Sequence, residues 1–276
     1  MSAIAAQSTR REGFRFRRRW IGDVVAHGYI WFWLAIFALP FVATTIHSLE
    51  LPEGGYGFEA YRFAFGSFKY DLLTSFKVTG LTILINLLLS VPAAYAFVRY
   101  PFPGKGALLS ILNLSLYTPA AVMGLSLLIT YAFLFHIPRS VTGLVAAYVV
   151  GSYPLMLIPI IVALRDLPMV YEEAAKTLGA NRFQSLVRIE LPLLGPGISA
   201  GVLLTFVIIF NEFLVTLFIA GPNTQTAALR VYGLTRTGFL PTTAALAAIM
   251  QLVSFLVVLS FFKFFGSRYL KGTYLI

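Results

Sequence analysis

The sequence contains no cysteine. Disulfides, thiolate metal sites and cysteine nucleophiles are therefore excluded together. Charge is also scarce: 12% of the residues are Asp, Glu, Lys or Arg, against about 25% in a soluble domain that must wet its own surface. Histidine occurs only as His27, His47 and His136, near the ends of apolar stretches and without ligand-spaced neighbours, so no metal site is expected. A phosphate-cradling loop is missing as well. Gly104-Lys105 is followed by Gly106, lacking both the spaced first glycine and the hydroxyl of that pattern. No catalytic residues are expected, and any work driven by ATP would need a motor on another polypeptide.

What is present is apolar. Hydrophobic residues make up 58% of the 276 positions, too many for water-facing side chains to cover, so much of the surface must face lipid. Six segments supply the roughly 20 apolar residues that a bilayer crossing needs. They run over 28–47, 73–98, 107–135, 141–164, 195–220 and 241–265. The expected fold is an all-α membrane protein of six transmembrane helices. A basic tail over 1–27 precedes a membrane domain over 28–266, and a short tail over 267–276 follows it. The stretch from Gly28 to Ile46 follows a basic region, as in a signal peptide, but it is long enough to span and no small-residue cleavage site follows. It reads as a retained first helix.

The net charge of +10 gives the orientation rather than a nucleic-acid partner. Arg10, Arg11, Arg15, Arg17, Arg18 and Arg19 stand immediately before the first span. With that end inside, 15 of the 21 Lys and Arg residues fall on the inner side, which places both termini in the cytoplasm. The outer loop over 48–72 carries Tyr56, Phe58, Tyr61, Phe63, Phe65 and Phe68. Such a run suits a segment lying along the membrane interface.

One inner loop, over 165–194, is balanced in charge instead of basic. Arg165, Lys176, Arg182 and Arg188 face Asp166, Glu172, Glu173 and Glu190. Pro168 suits a first helical turn, and the Glu-Glu-Ala-Ala-Lys run from Glu172 to Lys176 favours helix. Gly179 stands where a left-handed C-terminal cap is wanted. Asn181 can cap a second helix over 182–190, ended by Leu191-Pro192. Met169, Ala174 or Ala175, and Leu178 would give this pair of short helices an apolar face free to dock.

Glu173-Ala174-Ala175, then Gly179, then Ile189 and Leu191-Pro192 are similar in identity and spacing to the EAA loop of binding-protein-dependent ABC importer permeases. The similarity runs from about Thr74 to Gly266. Arg99-Tyr-Pro-Phe-Pro-Gly-Lys105 resembles the family's short inner loop after the second span, and the stretch from Asn211 to Pro222 resembles the spermidine/putrescine-type branch. The resemblance implies a type I importer permease subunit in a bacterial inner membrane, one half of a translocation pathway. It implies a second permease subunit, commonly a different chain, two ATPase subunits that bind ATP and Mg, and an extracytoplasmic substrate-binding protein. Glu172, Glu173, Ala174, Ala175, Leu178, Gly179, Ile189, Leu191 and Pro192 would then form the surface coupled to the ATPase. Glu173 would supply a polar contact, the alanines a thin helix, and Gly179 the sharp turn.

For the solute, a polyamine leads on this resemblance. Glu212 is the one clear intramembrane carboxylate and, beside Asn211, either lines the path or packs against another helix. Asn86, Asn113, Tyr117, Thr118 and Gln251 are weaker candidates, because one polar residue per span often just bonds across helices. Pro92, Pro119, Pro154 and Pro159 either bend helices or free carbonyls towards a cavity. Gly197 and Gly201 are spaced to let two helices approach closely. Two rival readings remain: a transporter driven by an ion gradient, which would show repeats or several buried charges, and a membrane-embedded enzyme, which would need a companion acid or histidine for Glu212.

Overall fold

A computed structural model describes residues 26–51, 54–222, 224–238 and 240–263. The six arginines of the basic tail and the tail over 267–276 lie outside the described residues. Among the described residues the structure is helical, and a single bridge between Glu50 and Tyr56 is its only β-type pairing.

Helix α1, Ala26–His47, is apolar along its length and has none of its most hydrophobic stretch buried within the chain. Helix α2, Glu59–Arg99, is 41 residues long, about 60 Å at 1.5 Å per residue. The expectation of a separate interfacial segment over 48–72 is corrected here, since its second half runs unbroken into the second span. Ala60, Ala64, Phe68 and Leu72 recur at helical spacing and are buried against the outer parts of α10 and α11, defined below. That packing extends the helix where composition alone suggested an interface.

The expected third span, 107–135, is two helices. Helix α3, Lys105–Tyr117, and helix α4, Ala120–Phe135, meet at 109°. Pro119 is the cause: it holds Thr118 extended, with φ −83° and ψ 125°, and lacks the N–H that would continue the ladder. Helix α5, Val141–Asp166, begins at Ser140, whose side chain accepts from the Gly143 N–H. It stays continuous through Pro154 and Pro159.

The inner loop holds α6, Val170–Thr177, and α7, Arg182–Leu193. Helix α7 does not stop at Leu191-Pro192 as expected but continues to Leu193, then turns by 66° into α8, Gly195–Phe210. Pro192 falls in the first turn after a π-helical stretch over Leu186–Glu190, where a missing N–H is tolerated. The expected fifth span, 195–220, also breaks. Helix α8 ends at Phe210, and the short α9, Leu214–Ile219, follows after three non-helical residues. Helices α10, Ala227–Thr235, and α11, Pro241–Phe261, complete the chain.

Four helices, α1, α2, α5 and α11, are long and apolar enough to cross a bilayer alone, and the bent pairs α3–α4 and α7–α8 bring the number to six. Helix α2 runs through the middle, with α5, α8, α10 and α11 packed around it. Gly197 and Gly201 bring α8 directly onto α5. A Cβ on Gly197 would stand 2.7 Å from the Pro159 carbonyl oxygen, and one on Gly201 3.1 Å from the Met156 Cα. Close approach is thus the role of both glycines.

Candidate functional site

Two regions collect most of the residues singled out in the sequence, one at the inner end of the bundle and one at the break in the fifth span.

At the inner end, α6 closes with a Schellman turn. The Gly179 N–H bonds the Lys176 carbonyl at 2.9 Å, and the Ala180 N–H bonds the Ala175 carbonyl at 3.0 Å. Gly179 takes φ +83°, a backbone conformation that glycine adopts without a side-chain penalty. Asn181 then opens α7 through a reciprocal capping box. Its Oδ1 accepts from the Gln184 N–H at 2.8 Å, and Gln184 Oε1 accepts from the Asn181 N–H at 3.0 Å. Two short helices joined by the four residues 178–181 result.

The loop has distinct faces. Glu172 and Ala175 point into the protein and are buried. Glu173, Ala174 and Gly179 are exposed, and so are Met169, Val170, Tyr171, Leu178 and Phe183, with Leu178 at 88%. Of the two alanines expected on the outer face, Ala174 is there and Ala175 is not. Ile189 and Leu191 are half-buried and Pro192 is exposed. Glu172 carries an ion pair with Lys176 at 2.8 Å, which lowers its carboxyl below the usual range. Glu190 is buried, and desolvation, reinforced by nearby Glu172, pushes its carboxyl up. Arg182 lies over the Tyr100 ring at 4.8 Å.

In the fifth span the helix gives way at Asn211, Glu212 and Phe213, where local bonds replace the ladder. Asn211 Nδ2 donates to the Val207 carbonyl at 2.8 Å and to Ser254 Oγ on α11 at 3.2 Å. The Glu212 carboxylate accepts from the Val215 N–H at 3.0 Å and so caps α9. Tyr148 on α5 donates to the Glu212 carbonyl at 3.0 Å and also bonds Thr216. Side chains that satisfy backbone groups locally compete with helix, and hydropathy does not register them.

Beside this break lies a cleft of about 320 Å³, lined by Asn211, Phe213, Tyr232, Thr235, Met250 and Gln251 among others. The Phe213 and Tyr232 rings stack at 4.8 Å. Of the four residues expected on the solute path, Asn211 lines this cleft. Glu212 adjoins it but is engaged in capping. Asn86 is fully buried and donates to Ser152 Oγ across α2 and α5 at 2.8 Å. Tyr117 is 82% exposed at the bend of α3. The weaker candidate Gln251 does reach the cleft.

Residues 86–271 match the family model described as binding-protein-dependent transport system inner membrane component. The chain belongs to that family. This permease is 26% identical over 247 residues to the spermidine/putrescine transport system permease protein PotC of Escherichia coli (strain K12), covering 87% of this chain and 93% of PotC. It is 35% identical over 187 residues to the molybdenum transport system permease protein ModB of the same strain, covering 60% of this chain and 79% of ModB. Its fold matches a chain of a bacterial alginate ABC transporter, solved with a pentasaccharide-bound periplasmic protein. The TM-score is 0.70 at 18% identity, over 89% of this permease and 93% of that chain. The type I importer permease fold expected from the sequence is therefore present. Since PotC and ModB differ in what their names say they carry, family membership leaves the solute open.

Several residues that organise these regions were not singled out in the sequence. Arg99 stood out only as an orienting charge and as the first residue of the short inner loop, and Glu190 only as a balancing charge, yet both side chains are buried at the inner end. Tyr148, which holds the break, stands among apolar neighbours of α5 with no local signal. Asp71 and Arg230 pair at 2.7 Å across 159 positions, and only a three-dimensional structure shows that.

Proposed function

We propose that this permease is a non-catalytic transmembrane subunit of an ATP-driven importer in a bacterial inner membrane, and that α6 is its coupling helix. The observation that carries the reading is the exposed apolar surface of Met169, Val170, Tyr171, Leu178 and Phe183 on a loop whose opposite face meets Arg99 at the end of α2. An apolar patch flanked by charge, held rigidly at the inner membrane surface, fits a groove on a partner protein. Glu173, Ala174 and Gly179 lie on the exposed side and would meet a separate ATPase, with ATP and Mg bound there. Ile189, Leu191 and Pro192 would set the angle at which the loop joins α8. A second permease subunit, taken here as a different chain, would complete the path, and an extracytoplasmic binding protein would deliver the solute.

For the solute, a polyamine-like cation is favoured. The stacked faces of Phe213 and Tyr232 attract ammonium groups, and the amide oxygens of Asn211 and Gln251 accept N–H bonds. The resemblance to PotC over most of the chain supports the same class.

The test is co-expression with a candidate ATPase, second permease and binding protein, followed by ATP turnover in lipid nanodiscs. Glu173→Ala or Leu178→Asp should release the ATPase or abolish the stimulation by loaded binding protein. Spermidine or putrescine should stimulate, and molybdate should not. If no ATPase associates and both substitutions are silent, the reading fails and transport driven by an ion gradient takes its place. If molybdate stimulates and the amines do not, the solute assignment alone fails.

A further inference from the structure

Arg99 is the last residue of α2, and it ends inside the inner loop instead of in water. Its Nε lies 3.9 Å from Glu172 Oε2 on α6, and one terminal nitrogen lies 3.9 Å from Glu190 Oε2 on α7. The three side chains are 6%, 4% and 1% exposed. The other terminal nitrogen donates to Met169 Sδ at 3.2 Å, and the Leu167 carbonyl accepts from the guanidinium at 3.4 Å. Among the described residues Arg99 Nε and Glu190 Oε2 have no hydrogen-bond partner, and Ser185 Oγ stands 3.5 Å from the other Glu190 carboxylate oxygen.

Chain connectivity makes this cluster consequential. Helices α5 and α8 are joined covalently to the loop, so displacement of the loop reaches them directly. Helix α2 is not, although it runs through the centre of the bundle. The Schellman turn and capping box make α6 and α7 one unit, and that unit holds Arg99 with a carboxylate from each helix. Both separations exceed an ordinary N–H···O contact by about 0.7 Å or more. A shift of the loop by about 1 Å therefore closes a short charge-assisted bond or opens the gap further.

We propose that Arg99 is the positioning residue through which movement of the inner loop is transmitted to α2. The inference rests on the reading that an ATPase docks on this loop. The guanidinium is gripped loosely in this conformation and closes on Glu172 or Glu190 when the loop is driven, drawing the end of α2 with it. Arg182, stacked on Tyr100 beside the same end, steadies the junction.

The experiment uses the full transporter in nanodiscs and takes advantage of the cysteine-free sequence. Tyr70→Cys places the one thiol of this chain on an exposed position at the outer part of α2. Its labelling rate is measured without nucleotide and with ATP held unhydrolysed, in otherwise native protein and with Arg99→Gln, Arg99→Lys, or Arg99→Gln combined with Glu190→Gln. Native protein should show a nucleotide-dependent rate. With Arg99→Gln the ATPase should still co-purify and turn over ATP, while the nucleotide dependence at Tyr70→Cys disappears and solute transported per ATP falls about tenfold, within the usual span of one coupling interaction. Arg99→Lys should restore part of both. The double variant, which removes the unpaired carboxylate, should assemble fully yet remain uncoupled. If Arg99→Gln or the double variant keeps the labelling change and full coupling, the proposal is overturned. If every Arg99 variant, including Lys and the double variant, loses the ATPase altogether, Arg99 only folds the loop and the proposal is overturned too. If unsubstituted protein binds no ATPase, the docking reading fails first and takes this inference with it.

Discussion

Arg230 Nε lies 2.7 Å from Asp71 Oδ2, and this pair fastens α10 to the outer part of α2. The guanidinium also covers the Phe68 ring at 5.4 Å, and one turn away the Ala227 N–H bonds Ser75 Oγ at 2.9 Å. Because Arg230 remains one-third exposed, water weakens the pair, but Asp71 is largely buried and would be left unpaired by loss of its partner. Arg230→Met should therefore destabilise the purified permease by about 1–2 kcal/mol. The double variant Arg230→Met with Asp71→Leu should recover part of that loss. Thermal unfolding of the four proteins in one double-mutant cycle checks this, and additive effects would count against the pair.

The contact of α8 with α5 leaves no room for a side chain at Gly197. A Cβ there would meet Ala163 Cβ at 2.5 Å and the Pro159 carbonyl at 2.7 Å, neither of which is the far end of a flexible chain. Gly197→Ala should cost about 1–3 kcal/mol through forced separation of the two helices. Gly66→Ala, in the exposed part of α2 with nothing within 4 Å of a new Cβ, should be neutral or slightly stabilising. The comparison is made by the fraction surviving a heat step on size-exclusion chromatography. Equal behaviour of the two variants would refute the packing argument.

The turn between α6 and α7 is held by two separable devices. Asn181→Ala removes the side-chain half of the capping box and should cost about 1 kcal/mol locally, while Asn181→Asp should retain it. Gly179→Ala forces a side chain into the left-handed region and should cost a similar amount. Because the turn is exposed, limited proteolysis reads both directly. Cleavage between residues 177 and 184 should accelerate several-fold in the two alanine variants and stay near the native rate for Asn181→Asp.

The caps at Gly179 and Asn181 were legible in the sequence because they are local: residue type and a spacing of a few positions determine them. Class, number of apolar segments and the close approach at Gly197 and Gly201 were legible for the same reason. The breaks were not. Pro119 was noted as an interruption, but a window wide enough to find a span averages over the two residues at which α3 turns into α4. At Asn211 and Glu212, polar residues inside an apolar run looked like candidates for solute contact, whereas their side chains also replace the helix's own hydrogen bonds. Arg99 shows the opposite failure. Beside a membrane it counted as one more positive charge on the inner side, and its burial follows from Glu172 and Glu190, which are close to it only once the bundle is formed.

Helix α2 joins the two ends of the molecule by the simplest mechanical means. Arg99 and Asp71 sit on one uninterrupted rod and are separated by about 42 Å along its axis. Rocking such a rod by about 5° around its inner end swings the Asp71 end sideways by nearly 4 Å, by the same axial rise. A swing of that size exceeds the 2.7 Å reach of the Asp71–Arg230 pair, so a rigid α2 turns a small angle at its inner end into a broken contact at the outer one.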